Sequence, residues 1–235
     1  MPRSLIISTS NAGKAKEARM LTEDWGVEVD VHDFGCNHRE IQGSVRDIAA
    51  HKLGDAITVA KQYWSWVERD AALEAAMAVM AAEEEEEVAS PEAAAAAAEL
   101  PTPLRDGLLV VEDSALEMEA LGGMPGPYVK PFFEAMGAAG LYEVARGLGR
   151  FGAVDVCVLA CWDVKTGKTH VVTGRTEGTI VAPQGEPPRG FGWDPVFIPK
   201  GCGCSYAEME LDRKNGVSAR ASAYRQLHAI LFAPQ

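Results

Sequence analysis

Two acidic residues stand at the end of a segment that should be buried. The apolar run LLVV, residues 108–111, is typical of a strand inside a sheet, and Glu112 and Asp113 follow it directly. Burying a carboxylate is costly unless the group is ion-paired, hydrogen-bonded or bound to a metal. One interpretation is that Asp113 and Ser114 cap a following helix, since both residue types are favourable N-caps. The other is that the acids face a cation, and these residues alone leave both open.

Donors for an anion occur where the first predicted strand, SLIIST, meets the first predicted helix. Backbone N–H groups at a helix N-terminus are unpaired and carry partial positive charge, so they favour anions. The side chains that add to them are Thr9, Ser10, Asn11 and the cation Lys14. The spacing is not that of a Walker P-loop. An ordinary helix cap at Asn11 explains this stretch about as well as an anion site.

Other charged and aromatic residues also lie at predicted element junctions: Glu40, Lys52, Lys130, Phe191, Gly192, Trp193, Asp194, Lys214 and Arg220. The cationic side chains can oppose phosphate charge. Magnesium prefers oxygen ligands and is typically held by one or two carboxylates together with substrate phosphates. The aromatic rings can stack on a base. Each cluster alone is ambiguous, but together they predict a nucleotide site.

The composition limits the class of protein. Hydrophobic residues make up 47% of the 235, which is ordinary for a globular protein, and no apolar stretch approaches the ~20 residues of a membrane span. The first residues lack a signal-peptide pattern and the five cysteines are an odd number, so we expect a cytoplasmic protein with reduced thiols. The net charge of −12 argues against nucleic acid as a partner. Residues 68–107 carry −9 of it, so the other 195 residues, at −3, can still bind an anion.

Strand and helix patterns alternate along the chain, which indicates an α/β fold. Helices are predicted from Asn11, from near Val45, over 131–149 and over 218–232. The segments AVDVCVLACWDV and KTHVVTGRTEGTIV predict a β-hairpin joined by KTGK, so we also expect antiparallel pairing. The Ala- and Glu-rich stretch at about 66–105 predicts a low-complexity insertion in a single domain of residues 1–235, with a docking or cation-buffering arm as the less favoured alternative.

The motifs resemble those of the inosine triphosphate pyrophosphatase family, the Ham1/RdgB-like nucleoside triphosphate pyrophosphohydrolases. TSNAGK, EIQG, VEDSALEMEALGGMPGPYVK, FGWDPVF and SYAEMELDRKNGVSAR occur in that family's order and span nearly the whole chain apart from the insertion. The resemblance implies hydrolysis of the non-canonical purine triphosphates ITP, dITP and XTP to the monophosphate and pyrophosphate. It also implies an elongated mixed β-sheet flanked by helices, with two lobes around a central cleft. A requirement for magnesium, with manganese as a substitute, and a homodimer are further implications.

The resemblance also implies roles for individual residues. Glu40 and Asp113 are expected to bind magnesium, and Asp113, the catalytic residue, also orients or deprotonates the attacking water. Glu112 is a less certain acid, because strand alternation turns it to the opposite face from Asp113. Substrate binding is assigned to Thr9, Ser10, Asn11, Lys14, Lys52, Ser114, Lys130, Phe191, Gly192, Trp193, Asp194, Lys214 and Arg220. Phe191 and Trp193 are expected to bound the base pocket, with a role as ordinary core aromatics as the alternative.

One departure from the family pattern concerns base selection. Where the family usually has Ser-His-Arg, this sequence has Ser218-Ala219-Arg220, which removes a donor near the 6-position of the base. We therefore expect a weaker preference for ITP over ATP or GTP, by about two- to a hundredfold, unless another group replaces that donor. Two other functions stay open: a Maf-like pyrophosphatase for other modified nucleotides, and a catalytically weak nucleotide-binding or interaction protein.

Overall fold

A computed structural model describes residues 4–34, 41–62, 107–184 and 190–232, which form one mixed sheet with helices on both faces. The strands are β1 (Ser4–Ser8), β2 (Glu28–Val31), β3 (Leu108–Met118), β4 (Pro125–Gly126), β5 (Gly152–Asp163), β6 (Thr169–Ile180) and β7 (Phe197–Pro199). The helices are α1 (Ala12–Thr22), α2 (45–62, where that described stretch ends), α3 (Val129–Leu148), α4 (Leu211–Val217) and α5 (Ala219–Leu231). The predicted α/β class is confirmed.

The sheet combines parallel and antiparallel pairing. Its strand order is β2-β1-β3-β5-β6-β7, and the short β4 pairs with β3. β1 runs parallel to β2 and β3. β3 is antiparallel to β5, β5 to β6, and β6 to β7. The predicted hairpin is confirmed as β5 and β6. At its turn Asp163 accepts hydrogen bonds from the N–H groups of Lys165 and Thr166, which fixes the KTGK connection.

Side chains of β3 alternate between the two faces of the sheet, as strand geometry requires. Leu109 and Val111 belong to a core that includes residues of α2. Leu108 and Val110 belong to a second core beneath α1 and α5. The acids that follow continue this alternation, because Glu112 contacts a residue of α5 and Asp113 contacts a residue of α2.

β3 is longer than β1, and the difference leaves part of its edge uncovered. β1 ends at Ser8, which pairs with Val111, and β4 first pairs with β3 at Leu116. Within the described ranges no strand covers the edge of β3 between these two points, where Glu112 and Asp113 lie. Side chains from both faces of β3 therefore reach one space at this gap.

The interpretation of Asp113 and Ser114 as a helix cap is wrong. Both residues lie inside β3, which continues to Met118 and pairs with β5 over its whole length. Acidic residues are disfavoured in strands, so the sequence suggested a break where none exists. The eleven backbone pairs between β3 and β5 outweigh that local preference.

The predicted helices are confirmed, with one irregularity. α3 is interrupted at Gly137, whose φ of 65° lies in the left-handed region that favours glycine. The short α4 was not predicted. The insertion at 66–105 lies outside the described residues, so the single-domain assignment stays a prediction. In the described ranges, no helix has the length and apolar character that crossing a bilayer requires.

Candidate active site

A crevice of about 720 Å³ opens at the gap in the sheet. Every predicted site residue that the structure describes lines it: Thr9, Ser10, Asn11, Lys14, Lys52, Asp113, Ser114, Lys130, Phe191, Gly192, Trp193, Asp194, Lys214 and Arg220. The other predicted residue, Glu40, lies outside the described ranges. The crevice therefore brings together residues that are spread over more than two hundred positions of the chain.

The start of α1 forms one wall of the crevice. The Asn11 side chain accepts a hydrogen bond from the Lys14 N–H at 3.0 Å, which confirms the predicted N-cap. Thr9 in turn accepts from the Asn11 N–H at 3.1 Å. These bonds fix the first helical turn and hold the Lys14 ammonium 3.2 Å from a carboxylate oxygen of Glu112.

Asp113 occupies the α2 side of the gap. The Lys52 ammonium, which projects from α2, donates to Oδ1 of Asp113 at 2.5 Å. Both side chains are largely but not completely buried, at 15% and 10% exposed for Lys52 and Asp113. The pair thus faces the crevice and stays within reach of a bound ligand.

A charged cluster occupies the α5 side of the gap. The Lys214 ammonium donates to Glu17 at 2.8 Å and to Asp194 at 2.7 Å. The Arg220 guanidinium makes two hydrogen bonds of 3.0 Å to Glu112 and a third to Glu17. We call Glu17, Glu112, Asp194, Lys14, Lys214 and Arg220 the charged cluster. It holds three acids and three cations, so its formal charges cancel, which is what burial of so many ionised groups demands.

Electrostatics keep Glu112 ionised in this cluster. Burial alone raises the pKa of a carboxyl group. Here the charges of Arg220 and Lys14, with hydrogen bonds from Arg220 and Ser114, outweigh burial and lower the pKa of Glu112 to about 2. A carboxylate with this pKa is an anchor for cations and cannot accept a proton at neutral pH.

The Phe191 ring packs against two cations of the charged cluster. Its ring centroid lies 4.7 Å from the Lys214 ammonium and 5.3 Å from the Arg220 guanidinium carbon. A Cβ on Gly13 of α1 would come within 2.6 Å of the same ring, so only glycine leaves room for it. The Asp194 carboxylate accepts from the Phe191 N–H at 3.0 Å and so holds the loop in place.

The sequence comparison decides the family. The family model described as "Ham1 family" matches residues 5–230. The chain belongs to the Ham1 family. The inosine triphosphate pyrophosphatase of Batrachochytrium dendrobatidis is 41% identical over 94% of this chain and 90% of its own length. The inosine triphosphate pyrophosphatase of Puccinia graminis is 30% identical over 95% of this chain and 94% of its own length. The match to the Mycosarcoma maydis protein of the same name, at 42% identity, spans only 53% of this chain and 64% of that one.

Solved structures show that the fold is shared. A Ham1 protein from Coxiella burnetii superposes with a TM-score of 0.66 at 21% identity and covers 99% of this chain and 100% of its own. A protein from Mycobacterium abscessus described as a nucleoside-triphosphatase or dITP/XTP pyrophosphatase superposes with a TM-score of 0.56 at 22% identity. The match covers 97% of this chain and 99% of that protein. At these identities the likeness establishes the Ham1 architecture and leaves the chemistry of the site to its residues.

Sequence reasoning missed Glu17 of this Ham1 site. The residue is 3% exposed on α1 and contacts both Lys214 and Arg220. Its position three residues after Lys14 places the two side chains on the same helix face, which is a signal that the sequence contained. An acid within a helix is usually solvated, however, and its partners lie about two hundred residues away.

Asp155 and Tyr206 were missed as well. Both line the crevice, and the Tyr206 hydroxyl donates to Oδ2 of Asp155 at 3.1 Å. Asp155 sits in β5 on the same face as Cys157, in a run of apolar residues. Its place within an apolar strand was a signal of burial, as it was for Glu112 and Asp113, but the sequence does not show which residues it faces. Only the register between β5 and its neighbours places it in the site.

Proposed function

We propose that this Ham1 protein hydrolyses non-canonical purine nucleoside triphosphates, namely ITP, dITP and XTP, to the monophosphate and pyrophosphate. One observation carries the proposal: Asp113, a set of cations and the FGWDP loop line a single crevice. Cations are needed to oppose a triphosphate, an acid to hold a metal and orient water, and a loop with aromatic residues to enclose a base. The names of the nearly full-length relatives support the same activity.

The triphosphate is assigned to the wall formed by α1 and α2. Thr9, Ser10 and Asn11 stand at the start of α1, where backbone N–H groups favour anions. Lys14, Lys52 and Lys130 add positive charge from three different elements around the crevice. Lys52 neutralises Asp113 in this structure and becomes available to a phosphate oxygen once Asp113 has another cationic partner.

The family is metal-dependent, and we propose magnesium, with manganese as a substitute. In the described ranges no three His, Cys, Asp or Glu side chains form a metal-binding group. A site with so few protein ligands fits a magnesium ion that is held by one or two carboxylates and mainly by substrate phosphates and water. Asp113 is the carboxylate in the crevice that would hold it, with Glu40 as the second. When bound, the ion supplies neutralisation of phosphate charge and activates water.

Asp113 is the proposed catalytic residue. Its carboxylate would orient the water that attacks the α-phosphorus and accept a hydrogen bond from it. Glu112 is unsuited to this role because it is engaged by Arg220 and faces the other side of β3. Ser114 donates to Glu112 at 3.0 Å and so supports the anchor.

The base is assigned to the other end of the crevice. Phe191 and Trp193 bound it, and Gly192, with a φ of 61°, forms the tight turn between them. Arg220 and Lys214 have donors only, so they match a 6-carbonyl and oppose the amino group of adenine. Asp194 already accepts from Lys214 and from the Phe191 N–H, so its first contribution is to shape the loop.

We also propose a homodimer and a cytoplasmic location, which gel filtration and fractionation can check.

The test is release of pyrophosphate from ITP, XTP, GTP and ATP, with and without magnesium. Asp113→Asn keeps the size of the side chain and removes its charge, so we expect turnover to fall by about a hundredfold or more while the protein stays folded. Asp24→Asn, a substitution of an exposed acid in the turn after α1, is the matched control. Near wild-type turnover by Asp113→Asn would refute the catalytic assignment. Wild-type protein that releases no pyrophosphate from any of the four would refute the proposed function.

A further inference from the structure

Asp155 is a buried acid in the crevice, and the two groups that donate to it among the described residues are both neutral. It is 7% exposed. Its Oδ2 accepts from the Tyr206 hydroxyl at 3.1 Å and from the Ala219 N–H at 3.4 Å. In the part of the chain that the structure describes, no hydrogen bond reaches Oδ1 and no lysine or arginine forms an ion pair with Asp155. The residue nevertheless lines the same space as the proposed base pocket.

The other buried acids of the crevice are different. Asp113 pairs with Lys52, Asp194 pairs with Lys214, and Glu112 pairs with Arg220. An unpaired buried carboxyl is costly, and folding alone gives no reason to keep one. Burial raises the pKa of Asp155 to about 6, against the lowering effects of Arg220 and of the two hydrogen bonds. Groups perturbed in this way cluster at functional sites.

The position of Asp155 coincides with the departure from the family pattern. Its partner Ala219 is the first residue of α5 and directly precedes Arg220. Ala219 is completely buried and has only a methyl side chain, so it offers the base nothing but its backbone. Asp155 is hydrogen-bonded to that backbone, one residue from Arg220. It is therefore placed beside Arg220 in the same crevice as the proposed base pocket.

We propose that Asp155 reads the base by accepting the N1–H of a 6-oxopurine while Arg220 donates to the 6-carbonyl. The inference rests on the proposed function and adds a specificity-determining residue to it. A donor next to an acceptor matches the 6-carbonyl and N1–H of hypoxanthine, xanthine and guanine. Adenine presents the reverse order, an amino donor and an N1 acceptor, and is rejected by both residues.

The same geometry predicts tolerance of guanine. The 2-amino group of guanine is a second donor beside N1–H, so a carboxylate can accept from both. Xanthine presents a 2-carbonyl there, which a carboxylate repels, and hypoxanthine presents only a hydrogen. Asp155 therefore restores discrimination against ATP, which the loss of the histidine would weaken, but it gives none against GTP.

Asp155→Asn tests the inference, because an amide keeps the size of the side chain and places a donor beside the acceptor. We expect the ratio of kcat/KM for GTP to that for ATP to fall by about tenfold to a hundredfold, the range for hydrogen bonds to a charged group. The kcat/KM for XTP should rise relative to that for GTP. Asp155→Ser, which also lacks the carboxyl, should lower the GTP-to-ATP ratio as well, and Asp24→Asn should leave it unchanged.

Equal loss of activity with all four nucleotides would overturn the inference, because a purely structural role scales every substrate alike. A GTP-to-ATP ratio that stays within about twofold of wild type would overturn it too. So would a wild-type protein that hydrolyses ITP more than about a hundredfold better than GTP. Thermal melting of each variant verifies that the comparison is made on folded protein.

A binding measurement separates this inference from the proposed function. Calorimetric titration with GMP, IMP and AMP in the presence of a chelator needs neither hydrolysis nor metal. Wild-type protein should bind GMP and IMP more tightly than AMP, and Asp155→Asn should lower the ratio of GMP affinity to AMP affinity by about tenfold to a hundredfold, which leaves the part of the preference that Arg220 supplies. This pattern in a protein without hydrolysis would refute the function and support the base assignment. If wild-type protein hydrolyses the nucleotides but Asp155→Asn binds GMP and AMP with unaltered selectivity, the proposed function would be supported and the base assignment refuted.

Discussion

Glu17 offers the sharpest test of the charged cluster. Glu17→Gln keeps the side-chain size but removes one of three negative charges opposite three positive ones, and so leaves the cluster with a net charge of +1. Lys214 and Arg220, which are 7% and 8% exposed at their side chains, then lose an ionic partner at the same time. Breaking one partnership of a buried ion pair typically costs about 3–5 kcal/mol.

The expected effect is a loss of about 3–5 kcal/mol in the free energy of unfolding, measured by urea denaturation. In a protein of this size about 3 kcal/mol corresponds to a fall of roughly 6–12 °C in Tm. Glu177→Gln is the matched control, because Glu177 also accepts from a lysine, Lys200, at 2.7 Å. Both side chains of that pair are exposed, so the same substitution should leave Tm unchanged.

The two substitutions differ in the burial of the lysine pair and in the second cation, Arg220, that Glu17 also contacts. The distances of the two lysine pairs are nearly equal, at 2.8 Å for Glu17 and 2.7 Å for Glu177. If Glu17→Gln melted at the wild-type temperature, the cluster would contribute nothing beyond surface pairing, and the argument from charge balance would fail. The double variant Glu17→Gln/Lys214→Met removes a cation together with the acid. If Glu17→Gln lowered the Tm and the double variant restored most of it, the uncompensated cation would be identified as the cause of the destabilisation.

Two further predictions concern stability. The raised pKa of Asp155, about 6 against 3.8, means that the protonated form stabilises the fold below about pH 4 and that this contribution is lost as the pH rises to about 6. Relative to Asp155→Asn, the wild-type free energy of unfolding should therefore fall by about 2 kcal/mol between pH 4 and pH 7, and a constant difference across that range would contradict the assignment. Gly174→Ala should destabilise the protein by about 3 kcal/mol or more, since its Cβ would lie 1.9 Å from the Ala219 carbonyl oxygen. A wild-type Tm for Gly174→Ala would show that α5 is free to move away from β6.

Much of the site could be predicted from the sequence, because a motif specifies both the residue types and the local structure in which they lie. Asn11 was predicted as an N-cap, and the cap is formed. The alternation of β3 predicted opposite faces for Glu112 and Asp113, and their partners lie on α5 and α2 as that requires. Short-range rules suffice for such features, since both the cap and the alternation depend on neighbours within a few residues.

Partner choice required the folded chain. Lys214 was expected at the base and is held by Glu17, 197 positions earlier in the sequence. Arg220 is likewise held by Glu112, 108 positions away. An ion pair depends on distance and burial, and neither follows from spacing along the chain when the partners sit on different elements.

The sequence alone determined the α/β class, most element positions, the family and the set of residues that could bind a nucleotide. The tertiary structure decided that β1 stops short of β3, and this gap merges the two faces of the sheet into one crevice. It also decided that Asp155 is buried there without a cationic partner among the described residues, while three neighbouring acids are neutralised. The reason is physical: strand length and register set which side chains share a space, and only that shared space sets their charge balance.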